Sequence, residues 1–338
     1  MMVGHALLAF ALVVLAARVS GAENRYALVA GLVAGAFATV PDVDMVYALV
    51  GVARAEATGV LDVTNAFWSA STVVHRTMTH SLVVAPLAAV AAACWVYQGE
   101  FDRPVRGVGG LLLVALVCVA AAELALLGAV VMGAFALATA LVAVAVRELT
   151  EFGPRTVGLL AFVGLVSHPW GDLFTGEPPA LLWPLDTALL SERVVLSTDP
   201  TLHLLGAFAL ELATVWLALL VLLTTVDVRF RMGPRGLVGT RALVGVGYAG
   251  VAFLLPPPTL DVSYHFVFTI LGVGTVLAAP DVLRARLLAS ARRLRREWDT
   301  PRLLTAFVTG LAAVTLALFA YTALYVLRTL SMTGAIGP

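Results

Sequence analysis

Apolar runs long enough to cross a bilayer recur along the whole chain, broken by short polar segments. A spanning α-helix needs roughly 20 predominantly apolar residues. Scanning on that basis predicts about ten spans, near 4–19, 27–50, 80–97, 108–126, 128–146, 155–169, 203–226, 240–256, 264–280 and 303–328. The run 108–146 is twice a single span and holds one charge, Glu123, so it is split near Gly128. The expected fold is all-α, a polytopic transmembrane helix bundle. Residues 1–200 form a core of about six spans. Residues 201–338 add a four-helix membrane extension whose basic cytoplasmic loop, 281–302, reads as an amphipathic helix or a topology anchor. The first run has no basic segment before it and no small-residue cleavage site, so it is expected to stay as a helix.

Composition agrees with the pattern. Of 338 residues, 61% are hydrophobic and 12% charged, a balance that excludes a soluble domain. Zero net charge gives no reason to expect nucleic acid as a partner. Cys94 and Cys118 lie inside apolar runs, so neither a disulfide framework nor a thiolate metal site is expected. The basic residues are all arginine, and their distribution sets sidedness. Of the 21, only Arg54, Arg76, Arg193 and Arg328 fall in one set of alternate loops, and the rest fall in the other. The arginine-rich set is expected in the cytoplasm. This predicts a multi-pass inner (plasma) membrane protein with both termini outside the cytoplasm.

Three polar islands interrupt the hydrocarbon: PDVD at 41–44, HRTMTHS at 75–81 and SHPWGDLFTG at 167–176. The assigned topology brings all three to the non-cytoplasmic face, with His5 at the start of the first span. Ionisable groups in or near a bilayer are costly and mark function, and His with Asp is a usual donor set for a divalent metal. His168 and Asp172, four apart, share one helical face. Pro41 breaks the helix that carries Asp42 and Asp44, so one or both carboxylates are free to aim at a common point. Asp44 is the preferred ligand. Asp42 is a ligand, a partner of one, or a general base. His75 and His80 fit one helical face poorly. A helix start capped by Thr79 or Ser81 would put His75 in a turn and His80 at the first turn. Arg76 between them is suited to a phosphate, a carboxylate or a developing transition-state charge. His203 and His265 have no motif around them, and Glu123 and Glu211 have nothing tying them to the islands.

In order and kind, these islands resemble the YdjM-type family of inner-membrane proteins, predicted to be metal-dependent hydrolases. The resemblance rests on Gly4-His5, Pro41 to Asp44, His75 to Ser81, His168 to Asp172 with Thr175, and Trp183-Pro184, over roughly residues 1–190. The chain departs from the pattern where Gly176 follows Thr175 at once. The resemblance implies a site of metal ligands His5, Asp44, His75, His80, His168 and Asp172, with Asp42 and Arg76 as catalytic groups. The expected cofactor is one or two divalent ions, Zn²⁺ by the donor mix. The expected activity is hydrolysis of a lipid-like or phosphoester substrate at the outer membrane face. The alternatives are a metal-ion or proton-coupled transporter, which would need polar residues along a path, and a non-catalytic metal-binding membrane protein.

Overall fold

The computed structural model describes residues 2–55, 59–71, 75–226, 237–260, 262–291 and 300–332. Among them every regular element is helical. Two compact units result, Met1–Val194 with Ala213–Asp227, and Val195–Leu212 with Val228–Pro338. Five helices are long and apolar enough to cross a membrane: Asn24–Arg54, Asp102–Leu149, Pro200–Thr225, Tyr264–Leu283 and Arg302–Met332. Val3–Val19 and Val84–Val96 are shorter apolar helices.

The first unit holds α1 (Met2–Val19), α2 (Asn24–Ala38), α3 (Ala48–Arg54), α4 (Val60–Ser71), α5 (Val84–Val96), α6 (Asp102–Leu149) and α7 (Pro154–Asp172). Its core is rich in alanine, with Ala9, Ala34, Ala38, Ala88, Ala92 and Ala161 around Phe37, Met78 and Phe135. Small side chains let helix backbones approach closely, which is how packing is gained where lipid offers no hydrophobic drive. Gly164 sits on the backbone of α2, where a Cβ would collide with the Ala34 carbonyl. That close approach carries the end of α7 to the end of α2.

α6 is not one rod. A continuous 48-residue α-helix would be about 72 Å long. Instead Leu124 and Ala125 leave helical geometry, Ala125 with φ +49°. Asp102 and Arg147, near opposite ends of the sequence run, meet at 3.4 Å. The run is therefore an antiparallel hairpin, broken a few residues before the expected split near Gly128. Leu111, Leu137 and Leu141 point out of it, as lipid-facing residues would.

α1, α5 and the second arm of α6 run against α2, α7 and the first arm, so the unit has two distinct ends. Arg18, Arg103, Arg106, Arg147 and Arg155 lie toward one end of these helices. His5, the break after Ala38, the start of α5 and the end of α7 lie at the other. The segment after α7 is pinned over that second end, with Leu82 N–H donating to Leu181 O at 2.8 Å and Val194 N–H to Leu173 O at 2.8 Å.

The second unit includes the start of α8 (Pro200–Thr225), a 3₁₀ helix Thr240–Gly250, α9 (Val251–Leu254), α10 (Tyr264–Ala291) and α11 (Thr300–Met332). The expected helix at 240–256 is thus 3₁₀ for most of its length. Tyr248, Phe266 and Tyr321 form its aromatic centre. Arg241 pairs with Asp281. Of the basic loop 281–302, residues up to Ala291 continue α10, and residues 292–299 lie outside the described residues.

Candidate metal centre

α2 stops at Ala38, and Pro41–Tyr47 continues as a 3₁₀ helix. Three residues per turn in place of 3.6 put positions two apart on faces about 120° apart. Asp42 and Asp44 are both buried and point to different partners. The Asp42 Oδ1 lies 3.5 Å from His168 Nε2. The Asp44 Oδ1 lies 2.9 Å from His75 Nδ1, and its Oδ2 accepts the Thr79 hydroxyl at 2.8 Å.

The second island forms a turn at His75 and Arg76 and a short 3₁₀ helix, Met78–His80. Ser81 caps α5: its Oγ accepts the N–H groups of Val83 and Val84 at 3.0 and 3.3 Å. Arg76 sits at φ +68°, a left-handed conformation that costs a non-glycine residue about 1–2 kcal/mol. What holds it there is a dense set of contacts. Its N–H reaches Asp44 Oδ2 at 3.4 Å, and its carbonyl accepts Ala180 N–H at 2.9 Å. Its guanidinium reaches Asp172 Oδ1 at 3.0 Å, Thr175 Oγ1 at 2.8 Å and Glu177 O at 3.3 Å. Gly176, with φ +62°, leaves room for it, since a Cβ there would stand 2.5 Å from Arg76 Nη1. The family-pattern departure at Thr175-Gly176 thus has a packing reason.

His168 and Asp172 project from the last turns of α7, one turn apart. His168 Nδ1 donates to the Ala38 carbonyl at 2.6 Å. A carbonyl only accepts, so Nδ1 carries the proton and Nε2 of the neutral ring is a bare lone pair. The same reasoning applies to His80. Thr79 gives its hydroxyl proton to Asp44, so the Thr79 oxygen accepts from His80 Nδ1 at 2.9 Å. His80 Nε2 is then a lone pair too. The two Nε2 atoms face each other across 3.0 Å. His5 tilts against the His168 ring, centroids 3.9 Å apart, with Nε2 3.5 Å from Asp172 Oδ1. Gly171 makes space for it: a Cβ there would lie 2.5 Å from His5 Cε1.

The site therefore gathers His5, Asp42, Asp44, His75, Arg76, His80, His168 and Asp172 at one end of the unit. His203 and His265 lie in the second unit and are used otherwise. His203 Nδ1 accepts Leu196 N–H at 3.1 Å, and His265 Nε2 donates to Pro256 O at 3.2 Å. Two participants carried no such signal in the sequence. Thr79 serves as a hydroxyl link, and the Ala38 carbonyl, which fixes a tautomer, has no side-chain signature at all. Glu123 is also tied to this end, because its Oε2 accepts Trp183 Nε1–H at 2.5 Å while Trp183 O accepts the Ser81 hydroxyl.

The donor set fits a divalent ion. Asp172 Oδ2 lies 3.2 Å from His80 Nε2 and 3.5 Å from His168 Nε2, yet it accepts no hydrogen bond, and buried Asp42 Oδ2 accepts none either. Ligand atoms at 2.0–2.1 Å from a tetrahedral centre stand about 3.3–3.4 Å apart, close to the separations among these four groups. Three carboxylates against one guanidinium leave two negative charges uncompensated when the imidazoles are neutral. Buried charge of that size needs a counter-charge. Among the described residues three overlapping donor groups occur: His5/His168/Asp172, Asp42/His80/His168 and Asp44/His75/His80.

Comparison with curated proteins and with solved structures finds no match. Residues 1–233 match the family described as YdjM inner membrane protein. That stretch contains all three polar islands and His5. Its apolar helices imply a bilayer environment and a multi-pass inner-membrane protein. The chain belongs to the YdjM inner membrane protein family.

Proposed function

We propose that this protein is a membrane-embedded metal-dependent hydrolase acting on a lipid-like or phosphoester substrate at the non-cytoplasmic face. The observation that carries the reading is the approach of His80 Nε2 and His168 Nε2 to 3.0 Å, ringed by Asp42 and Asp172. Two ring nitrogens at that separation need a proton or a cation between them, and the surrounding carboxylates favour the doubly charged ion. His80, His168 and Asp172 would hold the ion, Zn²⁺ by their chemistry, with His5 completing the set. A divalent ion bound there supplies Lewis acidity and a nucleophile at neutral pH.

The chain's own residues do the rest. Asp42 Oδ2, buried and free of hydrogen bonds, is the atom to accept a proton during attack. Each neutral imidazole offers one lone pair, and His80 Nδ1 is committed to Thr79. Asp44 is therefore read as a positioning residue that acts on His80 through Thr79, and not as the leading ligand. His75, at 18% exposure the most open of the four histidines, connects this chain to the surface. Arg76 orients Asp172 and balances its charge, the role of an outer-shell partner.

The number of crossings is read as about ten. The two arms of α6 count separately. The 11-residue 3₁₀ helix extends about 22 Å at 2.0 Å per residue, and α9 lengthens it toward bilayer thickness. Sidedness rests on the arginines at the end of the unit away from the site. Residues 1–200 are read as the core and 201–338 as its extension.

The deciding experiment purifies the wild type and His168→Ala in detergent, quantifies bound metal, and assays phospholipid and phosphodiester hydrolysis. The expected result is stoichiometric metal and turnover in the wild type and neither in the variant. Full metal occupancy in His168→Ala overturns the ligand set. Metal without turnover on any of these substrates overturns the hydrolase.

A further inference from the structure

A second site lies in the same unit, away from the histidine cluster. α5 and α7 part on their outer side to form an apolar groove of about 460 Å³. Ala89, Ala93 and Gly158 make its floor, and Val90, Leu159 and Phe162 are among its walls. Small residues there keep the groove open; a Cβ on Gly158 would already stand 3.2 Å from that of Ala93. At the end marked by Tyr97 and Pro154 the groove continues into a recess of about 530 Å³ that these two residues also line. Arg155 stands at the groove's mouth and Glu151 in the recess. Both are exposed, and neither makes a hydrogen bond or ion pair with a described residue. The third charge, Arg147, is already engaged by Asp102 and the Trp95 carbonyl.

An apolar channel ending in one free cation and one free acid is complementary to a particular amphiphile. The channel suits an acyl chain. A guanidinium suits a phosphodiester, and a carboxylate suits a primary ammonium with N–H donors to give. We infer that this groove binds phosphatidylethanolamine, with a chain along Ala89, Ala93 and Gly158, the phosphate at Arg155 and the ammonium at Glu151. The lipid comes from the leaflet at the arginine-rich end of the helices, so this site is separate from the proposed hydrolytic one.

The test uses the full chain in detergent, exposed to equal mole fractions of phosphatidylethanolamine, phosphatidylcholine and phosphatidylglycerol, with bound lipid read by native mass spectrometry. Ethanolamine lipid should be retained over choline lipid about tenfold, the ratio one charge-assisted hydrogen bond supplies. Glu151→Gln should erase that preference and leave choline lipid bound. Arg155→Gln should weaken all phospholipids. Val90→Trp, at a half-exposed wall position, should block the groove while leaving metal content unchanged. Equal retention of the three lipids, preference for the glycerol lipid, or an ethanolamine preference that survives Glu151→Gln overturns the proposal.

Discussion

His80 Nε2 and His168 Nε2 stand 3.0 Å apart, each ring held by a hydrogen bond at its opposite nitrogen. Neither ring can turn away without breaking a buried hydrogen bond. This rigidity separates two classes of substitution. His80→Ala and His168→Ala should each abolish bound metal. His75→Ala, which removes only the outer partner of Asp44, should keep the metal with affinity lowered about 10–100-fold. Metal content and chelator competition measure both. Complete loss of metal in His75→Ala would move His75 into the ligand set.

Thr79 bridges His80 and Asp44, with hydrogen-bond geometry to both. Thr79→Val keeps its shape but strands His80 Nδ1 and Asp44 Oδ2, at a cost of about 1–3 kcal/mol for a buried unsatisfied group. The protein should melt lower and bind metal more weakly, and Thr79→Ser should restore both. An unchanged melting temperature and affinity in Thr79→Val would remove Thr79 from the site.

Gly171 makes room for the His5 ring. Adding one methyl group drives it into the His5 ring. Gly171→Ala should reduce metal affinity, while the double variant Gly171→Ala/His5→Ala should be no weaker than His5→Ala alone. Strictly additive losses would mean that the methyl acts elsewhere.

The hairpin break in α6 holds Ala125 at φ +49°. Ala125→Gly relieves that strain and should stabilise the protein by about 1 kcal/mol, read from thermal unfolding in detergent. A lower melting temperature would indicate that the α6 break takes another form in the membrane.

Sidedness has its own measurement. In a background with Cys94 and Cys118 replaced, Leu185→Cys, exposed in the segment over the site, should react with an impermeant thiol reagent in intact cells. Reaction only after lysis would reverse the orientation.

Much of the site was legible in the sequence because its residues are expensive where they lie. His168 and Asp172 declare themselves by a four-residue spacing, and Pro41 announces the break that frees Asp42 and Asp44. What could not be read is which carboxylate goes where. That depends on the pitch of seven residues after Pro41, and a 3₁₀ turn divides the pair differently from an α-turn. The Ala38 carbonyl is invisible for a simpler reason: every residue has one, and only the close approach allowed by Gly164 selects this one. The Glu123–Trp183 pairing spans two segments far apart in sequence, so no local pattern reports it. In α6 the apolar length was plain. The place of the break was not, because Leu124 and Ala125 are both good helix formers.

The hairpin of α6 also sets an order of assembly. It lies between the segments that supply His80 and His168, so the centre cannot close while that hairpin is still being made. Synthesis from His5 to Asp172 takes on the order of 10–30 s. After α5 is made and until α7 follows, Asp42 and Asp44 are present without Asp172, Arg76 lacks its carboxylate, and His80 lacks His168. On the proposed reading, loading with metal is a late event in biogenesis. Until then the polar end of the bundle must stay wet, and a nascent chain arrested before α7 should be both metal-free and marked for degradation.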